Sequence, residues 1–180
     1  MDGQKVDLNY ESPIDYFFIK LAQISKPFFK NLCFNPNMIT TLSLISALMM
    51  YKEFTKHNFK KSGLWLLVSY YFDCLDGNYA RSYNMVTKFG DYYDHLSDLL
   101  TFFLILLGIY QSKISLKTKK LYFCLITLVG ILTASQLGCI QQIYKNKYES
   151  PTLNILSKFC PKKDYIKRVK YFGPGTFIFV

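Results

Sequence analysis

Several common sequence motifs are missing from this chain, and their absence excludes some classes of protein. The five cysteines form no C-x-x-C pair, so the sequence supports neither a disulfide framework nor a zinc site. Nucleic-acid-binding motifs, internal repeats and low-complexity tracts are also absent. The polar N-terminus is not followed by an apolar region behind a basic start, so we predict no cleavable signal peptide. Zinc modules, nucleic-acid binders and disulfide-rich secreted domains are therefore not expected.

Long apolar runs are what the chain has in abundance. Hydrophobic residues make up 51% of its 180 residues and aromatic residues 18%, and the mean hydropathy is +0.11. Several runs approach the roughly 20 residues that a membrane-spanning helix needs. We therefore predict an all-α, polytopic membrane bundle with spans at about 38–54, 62–82, 91–112 and 121–143, and the start of a fifth at 171–180.

Three segments are predicted along the chain: a polar tail over 1–12, an amphipathic juxtamembrane helix over 13–35 and a transmembrane domain over 36–180. Ser12-Pro13-Ile14-Asp15 is typical of a helix start, with a capping serine, a proline at the first position and an acid in the first turn. Apolar residues at helical spacing predict that this helix lies in the cytoplasmic headgroup layer. Packing against other protein is the alternative.

The charge distribution predicts an orientation. The net charge is +10, and the lysines lie mainly between apolar segments, which favours anionic lipid headgroups over nucleic acid as the partner. With the N-terminus inside, the inner segments hold 14 basic residues and the outer loops hold 8. This bias favours a multi-pass protein with a cytoplasmic N-terminus. The turn between the second and third spans would then also be cytoplasmic.

Four aspartates lie at the predicted membrane depth, beside that turn. Asp73 and Asp76 share one helical face, and Asp94 and Asp98 share a face of the next helix. Uncompensated carboxylates are costly at such a depth and repel one another at close range. Two Mg²⁺ or Mn²⁺ ions would balance four carboxylates, and two-metal sites recur in phosphoryl displacement. The sequence therefore predicts a metal-dependent enzyme site.

The spacing of these residues resembles a known signature. The pattern is Asp73-x-x-Asp76-Gly77-x-x-Ala80-Arg81, eight residues, then Gly90-x-x-x-Asp94-x-x-x-Asp98. It is similar to the signature of the CDP-alcohol phosphatidyltransferase family and is complete at every defining position. Pro36-Asn37-x-x-Thr40, at the start of the first span, also resembles that family.

The resemblance implies a reaction and its participants. Family members transfer a phosphatidyl or phosphoalcohol group from a CDP-linked lipid or alcohol donor to the hydroxyl of an alcohol or diacylglycerol acceptor, with release of CMP. They need Mg²⁺ or Mn²⁺, work at membrane lipid, and are often homodimers. No nucleic acid is involved.

The resemblance also implies residue roles. The expected metal ligands are Asp73, Asp76, Asp94 and Asp98, and Asp98 is also the expected proton acceptor. His95 is the second candidate for the base. The residues expected to contact the CDP moiety are Asn37, Thr40, Gly77, Arg81 and Thr87.

Two other function classes stay open. The predicted chain is shorter than the six-helix core of that family, so a truncated, non-catalytic member is the main alternative. Such a protein would bind metal or lipid, or pair with a full-length enzyme. A cation or proton transporter is the third class, but it leaves the spacing of Gly77, Ala80, Arg81 and Gly90 unexplained. The acceptor alcohol and the host membrane are not predicted.

Overall fold

The computed structural model describes residues 10–144, 153–160 and 165–179, and the regular structure in these ranges is helical. The helices are α1 (Pro13–Asn31), α2 (Pro36–Thr55), α3 (Phe59–Ser82), α4 (Lys88–Gln111), α5 (Leu116–Tyr144), a 3₁₀ helix (Leu153–Phe159), α6 (Ile166–Val169) and α7 (Pro174–Phe179). The predicted all-α membrane bundle is confirmed. Helices α2 to α5 coincide with the four predicted apolar segments.

Capping side chains set the starts of three helices. The Ser12 Oγ accepts a hydrogen bond from the Asp15 amide at 3.2 Å and so caps α1 as expected. Asn35 caps α2 through the amide of Met38 at 2.9 Å. Thr87 caps α4 through the amide of Gly90 at 3.0 Å. The axes of α1 and α2 differ by 117° across the short break between them, so the chain turns sharply before the bundle.

Length and apolarity qualify two of the described helices, α4 and α5, as membrane spans. The bent pair formed by α1 and α2 would supply a third if it crosses as one broken segment. Helix α3 combines apolar residues with lysines at its start and with Asp73, Asp76 and Arg81 near its end, which lowers its mean hydropathy. The prediction of four spans and a cytoplasmic N-terminus therefore stays a prediction.

Helices α2, α3 and α4 form the centre of the bundle, and α1 packs along α3. Two serines join α2 to α3 reciprocally, because each hydroxyl donates to the carbonyl of the other at 2.9 and 3.0 Å. These residues are Ser43 and Ser69. Small side chains at this crossing let the two backbones approach closely. In this register Asp76 of α3 also bonds to Thr40 of α2.

The exposed face of α1 is apolar, whereas polar side chains of the same helix point into the protein. Exposed residues at helical spacing are Phe17, Leu21, Ile24 and Phe28. Buried Lys26 donates to Ser82 at 2.6 Å, and Gln23 donates to Asn78 at 3.1 Å, both on α3. An apolar outer face suits a helix in the headgroup layer, and that location stays a prediction.

One cysteine pair corrects the sequence-based expectation. Cys139 and Cys160 form a disulfide, although 21 positions separate them in the sequence and no local pattern marks them. The 3₁₀ helix lies against the end of α5. Gln142 strengthens this contact, since its amide donates to the carbonyls of Ser157 at 2.7 Å and Cys160 at 3.1 Å.

The C-terminal helix α7 folds back on α1, α3 and α5. The Oδ1 atom of buried Asp15 accepts hydrogen bonds from the Tyr70 hydroxyl at 2.5 Å and from the Gly175 amide at 2.6 Å. A Cβ on Gly173 or Gly175 would collide with the Asp15 carboxyl, so both glycines permit this approach. We call this contact the Asp15 latch. The prediction that residues 171–180 open a fifth span stays a prediction.

Removing the latch is expected to weaken the fold. Asp15→Ala leaves the Gly175 amide buried without an acceptor and removes the carboxylate to which the Tyr70 hydroxyl donates, which is expected to lower the free energy of unfolding by about 2–4 kcal/mol. Thermal or denaturant unfolding in detergent micelles measures the change. Asp15→Asn retains an acceptor oxygen and should lose less. Equal stability of Asp15→Ala and the wild type would show that the latch does not stabilise the protein.

Candidate active site

The four predicted carboxylates meet where the end of α3 faces the start of α4. Asp73, Asp76, Asp94 and Asp98 all line one cavity of about 750 Å³. The carboxyls of Asp73 and Asp98 lie close enough to share a hydrogen bond. Ligand atoms of Asp94, His95 and Asp98 all lie within 4.8 Å of one another. The residues of both predicted polar faces therefore come together around this cavity, and α2 packs against both helices.

The four carboxylates differ in their access to solvent. Asp76 is only 3% exposed, and its Oδ2 accepts a hydrogen bond from Thr40 of α2 at 2.5 Å. Asp98 lies at the other extreme, with 54% of its side chain exposed. The cluster thus has a buried end that α2 holds in place and an open end that a second reactant can reach.

His95 lies among carboxylates at the open end of the cluster. Its Nδ1 is 3.6 Å from Asp98 and 3.8 Å from Asp94, and its Nε2 is 3.7 Å from Asp91. A protonated imidazole here would offset part of the negative charge. This placement keeps His95 within reach of the same reactant as Asp98.

A second cavity of about 320 Å³ adjoins the first. The start of α2, the end of α3 and the start of α4 enclose it. It is lined by all five residues predicted to contact the CDP moiety: Asn37, Thr40, Gly77, Arg81 and Thr87. Asp76 and Asp94 line both cavities, so the acidic cluster lies at the boundary between them.

Two glycines of the signature permit close approaches in this smaller cavity. A Cβ on Gly77 would lie 3.1 Å from Nη1 of Arg81, so the guanidinium lies directly over the glycine backbone. A Cβ on Gly90 would lie 3.1 Å from the Thr87 hydroxyl and 3.3 Å from Oδ1 of Asn37. The missing side chains let α2 and α4 converge at the cavity and leave backbone accessible to a ligand.

The donor set of the acidic cluster suits a divalent cation. Carboxylate oxygens are the ligands that Mg²⁺ and Mn²⁺ prefer. The Oδ1 atom of Asp94 is buried, and the described residues offer it no hydrogen-bond partner. Asp73 and Asp98 crowd two carboxyls together, which requires a shared proton or a cation. These observations fit bound metal.

Residues 33–160 match the family model for CDP-alcohol phosphatidyltransferase, and this range contains the complete signature. The chain belongs to the CDP-alcohol phosphatidyltransferase family. The family resemblance inferred from the signature is therefore confirmed. Members of this family are generally divalent-metal dependent, which agrees with the carboxylate donors described above.

One relative gives more detail. The chain is 36% identical over 74 residues to an archaetidylinositol phosphate synthase from Pyrococcus horikoshii. The aligned stretch covers 41% of this chain and 39% of that protein, so the chain matches well under half of the relative's length. No solved structure matches the chain.

Sequence reasoning missed two features of the site. It did not predict that Thr40 bonds to Asp76, because that contact depends on the packing register of α2 and α3. It also did not assign polar residues of α5 to the larger cavity, where Thr133 and Gln136 lie. Their signal was present, since both interrupt an apolar segment, but the sequence does not show which way α5 faces.

Proposed function

We propose that this protein is an integral membrane phosphotransferase of phospholipid biosynthesis. It would transfer a phosphatidyl or phosphoalcohol group from a CDP-linked donor to an alcohol hydroxyl and release CMP. The observation that carries the proposal is the meeting of two cavities at one acidic cluster. This arrangement gives a donor and an acceptor separate spaces on either side of the reacting phosphate.

The smaller cavity suits the nucleotide part of the donor. Arg81 presents a planar guanidinium that matches phosphate oxygens. Gly77 lets a phosphate approach the backbone of α3. Asn37, Thr40 and Thr87 supply amide and hydroxyl groups that suit a sugar or base. These are the roles that we propose for the five residues.

Two divalent ions would be held by Asp73, Asp76, Asp94 and Asp98. When bound, Mg²⁺ or Mn²⁺ supplies Lewis-acid stabilisation of the charge on the diphosphate. The chain's own contribution is to hold four oxygen donors at a fixed spacing. Thr40 adds to this by orienting the most buried of them, Asp76, through its hydroxyl.

Asp98 is the proposed proton acceptor. Its exposed side chain borders the larger cavity, where an acceptor hydroxyl can reach it. The hydroxyl oxygen would bond to the β-phosphorus of the donor as its proton passes to Asp98. The bond from that phosphorus to CMP then breaks, and Arg81 stabilises the charge on the departing phosphate. His95 is the second candidate for the base.

The larger cavity also suits an apolar chain. Its lining includes Leu99, Phe102, Ile105, Ile126 and Phe177, so acyl or isoprenoid tails can pack there while the phosphates lie at the acidic cluster. We propose that this end of the bundle faces the cytoplasm, as the basic residues favour. A homodimer is the proposed assembly.

Release of CMP tests the proposed function. Purified protein in lipid nanodiscs is supplied with Mg²⁺, with CDP-diacylglycerol or a CDP-alcohol, and with a panel of acceptor alcohols. We expect CMP, measured by chromatography, with at least one donor and acceptor pair. If a folded sample yields no CMP with any pair, the proposed enzymatic activity is contradicted and the non-catalytic alternative is favoured.

A further inference from the structure

Two polar side chains on α5 lack hydrogen-bond partners where they border the larger cavity. Gln136 is 0% exposed, and neither its amide oxygen nor its amide nitrogen has a partner within the described ranges. The buried hydroxyl of Thr133 is also unpartnered there. Shielded polar groups of this kind are costly unless something bonds to them. Both residues line the larger cavity, so a ligand bound in that cavity is a candidate for the missing partner.

Other polar residues of α5 have hydrogen-bond partners, including Thr127, which lines the same cavity. The hydroxyls of Thr127 and Ser135 donate to carbonyls one turn earlier, at 2.8 and 2.9 Å. Gln142 donates to two carbonyls near the 3₁₀ helix. Thr133 and Gln136 make no such bonds. They are three residues apart, so both lie on one helical face.

We propose that Thr133 and Gln136 form a subsite that binds the hydroxyl groups of a polyol acceptor. This inference rests on the proposed function, because both residues border the same cavity as Asp98. An amide offers one acceptor and two donors, and a hydroxyl offers both kinds of bond. Alcohol hydroxyls match that set, since each can donate and accept.

The subsite recognises hydroxyls rather than a charged group. Among the described residues that line this cavity, Arg81 carries a permanent positive charge, and it lies beside the donor cavity rather than on α5. The polyol could be free or could carry a phosphate elsewhere. The free and the phosphorylated polyol share the hydroxyls that Thr133 and Gln136 would bind. The experiment below distinguishes these two forms.

The test compares Gln136→Leu and Thr133→Val with wild-type protein in nanodiscs. The probes are myo-inositol and glycerol, their monophosphates, and ethanolamine as an acceptor with one hydroxyl. Equilibrium binding of labelled probes is measured alongside CMP release. We expect each variant to weaken polyol binding and raise the polyol KM at least about tenfold, which corresponds to about 1.4 kcal/mol. The KM of the CDP-linked donor and the ethanolamine response should stay unchanged.

Thermal unfolding supplies a readout that separates binding from structure. Gln136→Leu removes an unsatisfied buried amide, so its melting temperature should not fall. The matched change Gln142→Leu removes an amide with two partners and should lower the melting temperature. A Gln136→Leu variant that is destabilised like Gln142→Leu but binds polyols normally would overturn the subsite.

The remaining outcomes also decide the proposal. Equal losses for free and phosphorylated polyols support recognition of hydroxyls, whereas a loss confined to the phosphorylated probes overturns it. Wild-type protein that binds none of the polyols overturns it as well. If wild-type protein releases no CMP but binds polyols through these residues, the subsite stands and the proposed reaction fails.

Discussion

Replacing Asp76 by Asn is expected to lower the rate of CMP release by at least about 10³-fold, or about 4 kcal/mol of transition-state stabilisation. Asp76 is 3% exposed and lies at the boundary of the two cavities. Its carboxylate would be both a metal ligand and the charge nearest the diphosphate. The substitution preserves size and removes that charge, so cation binding and positioning of the donor should fail together. Turnover at saturating donor and acceptor, at the lowest Mg²⁺ concentration that saturates the wild type, measures the loss.

Two controls show whether charge or packing causes the effect. Thr40→Val leaves the Asp76 carboxylate intact but removes the 2.5 Å hydrogen bond that orients it. We expect a smaller loss for this variant, about tenfold. Wild-type protein treated with a chelator should lose CMP release and regain it when Mg²⁺ is restored. An Asp76→Asn variant that keeps more than a tenth of wild-type turnover would exclude Asp76 as an essential ligand.

The arrangement of the carboxylates was predictable because it depends on local geometry. Residues three and four apart on a helix share a face, so Asp73 with Asp76, and Asp94 with Asp98, follow from spacing alone. A short turn between α3 and α4 predicts that their polar faces lie near each other. In the structure α2 packs against both helices and both faces line one cavity, which the spacing alone does not show. The glycine positions add the expectation of close backbone approach.

Contacts between distant segments were not predictable in the same way. The disulfide between Cys139 and Cys160 depends on the 3₁₀ helix lying against the end of α5, and no residue pattern marks that contact. The Asp15 latch joins residues 160 positions apart. Each contact depends on how whole helices pack. A single sequence shows which side chains share a helical face, but not which helix that face meets.

The same limit explains why α5 contributed nothing to the predicted site. Thr133 and Gln136 are ordinary polar residues within a long apolar helix, and such residues often face neighbouring helices. Only the position of α5 against the acidic cluster's cavity gives them a chemical context. The unsatisfied amide of Gln136 adds information that spacing cannot supply, because it depends on which partners are missing.

Asp98→Asn is expected to lower CMP release by about 10²–10⁴-fold, the usual contribution of a general base. Asp98 has an exposed carboxylate on the larger cavity, and its neighbour His95 lies 3.6 Å away. His95→Gln retains a polar side chain of similar reach and should cost about tenfold, because the imidazole mainly offsets charge among Asp91, Asp94 and Asp98. Steady-state turnover of both variants at saturating Mg²⁺ measures the difference.

A titration with Mg²⁺ separates the two roles proposed for Asp98. If Asp98 were only a metal ligand, excess Mg²⁺ would restore most of the turnover of Asp98→Asn, because mass action refills a weakened site. The effect of losing the base does not depend on metal concentration. The low turnover of Asp98→Asn should therefore persist when the metal site is saturated. If His95→Gln shows the larger and metal-independent loss instead, His95 is the base. Asp98 would then contribute only its ligand oxygen, and the acceptor hydroxyl would lie beside the imidazole.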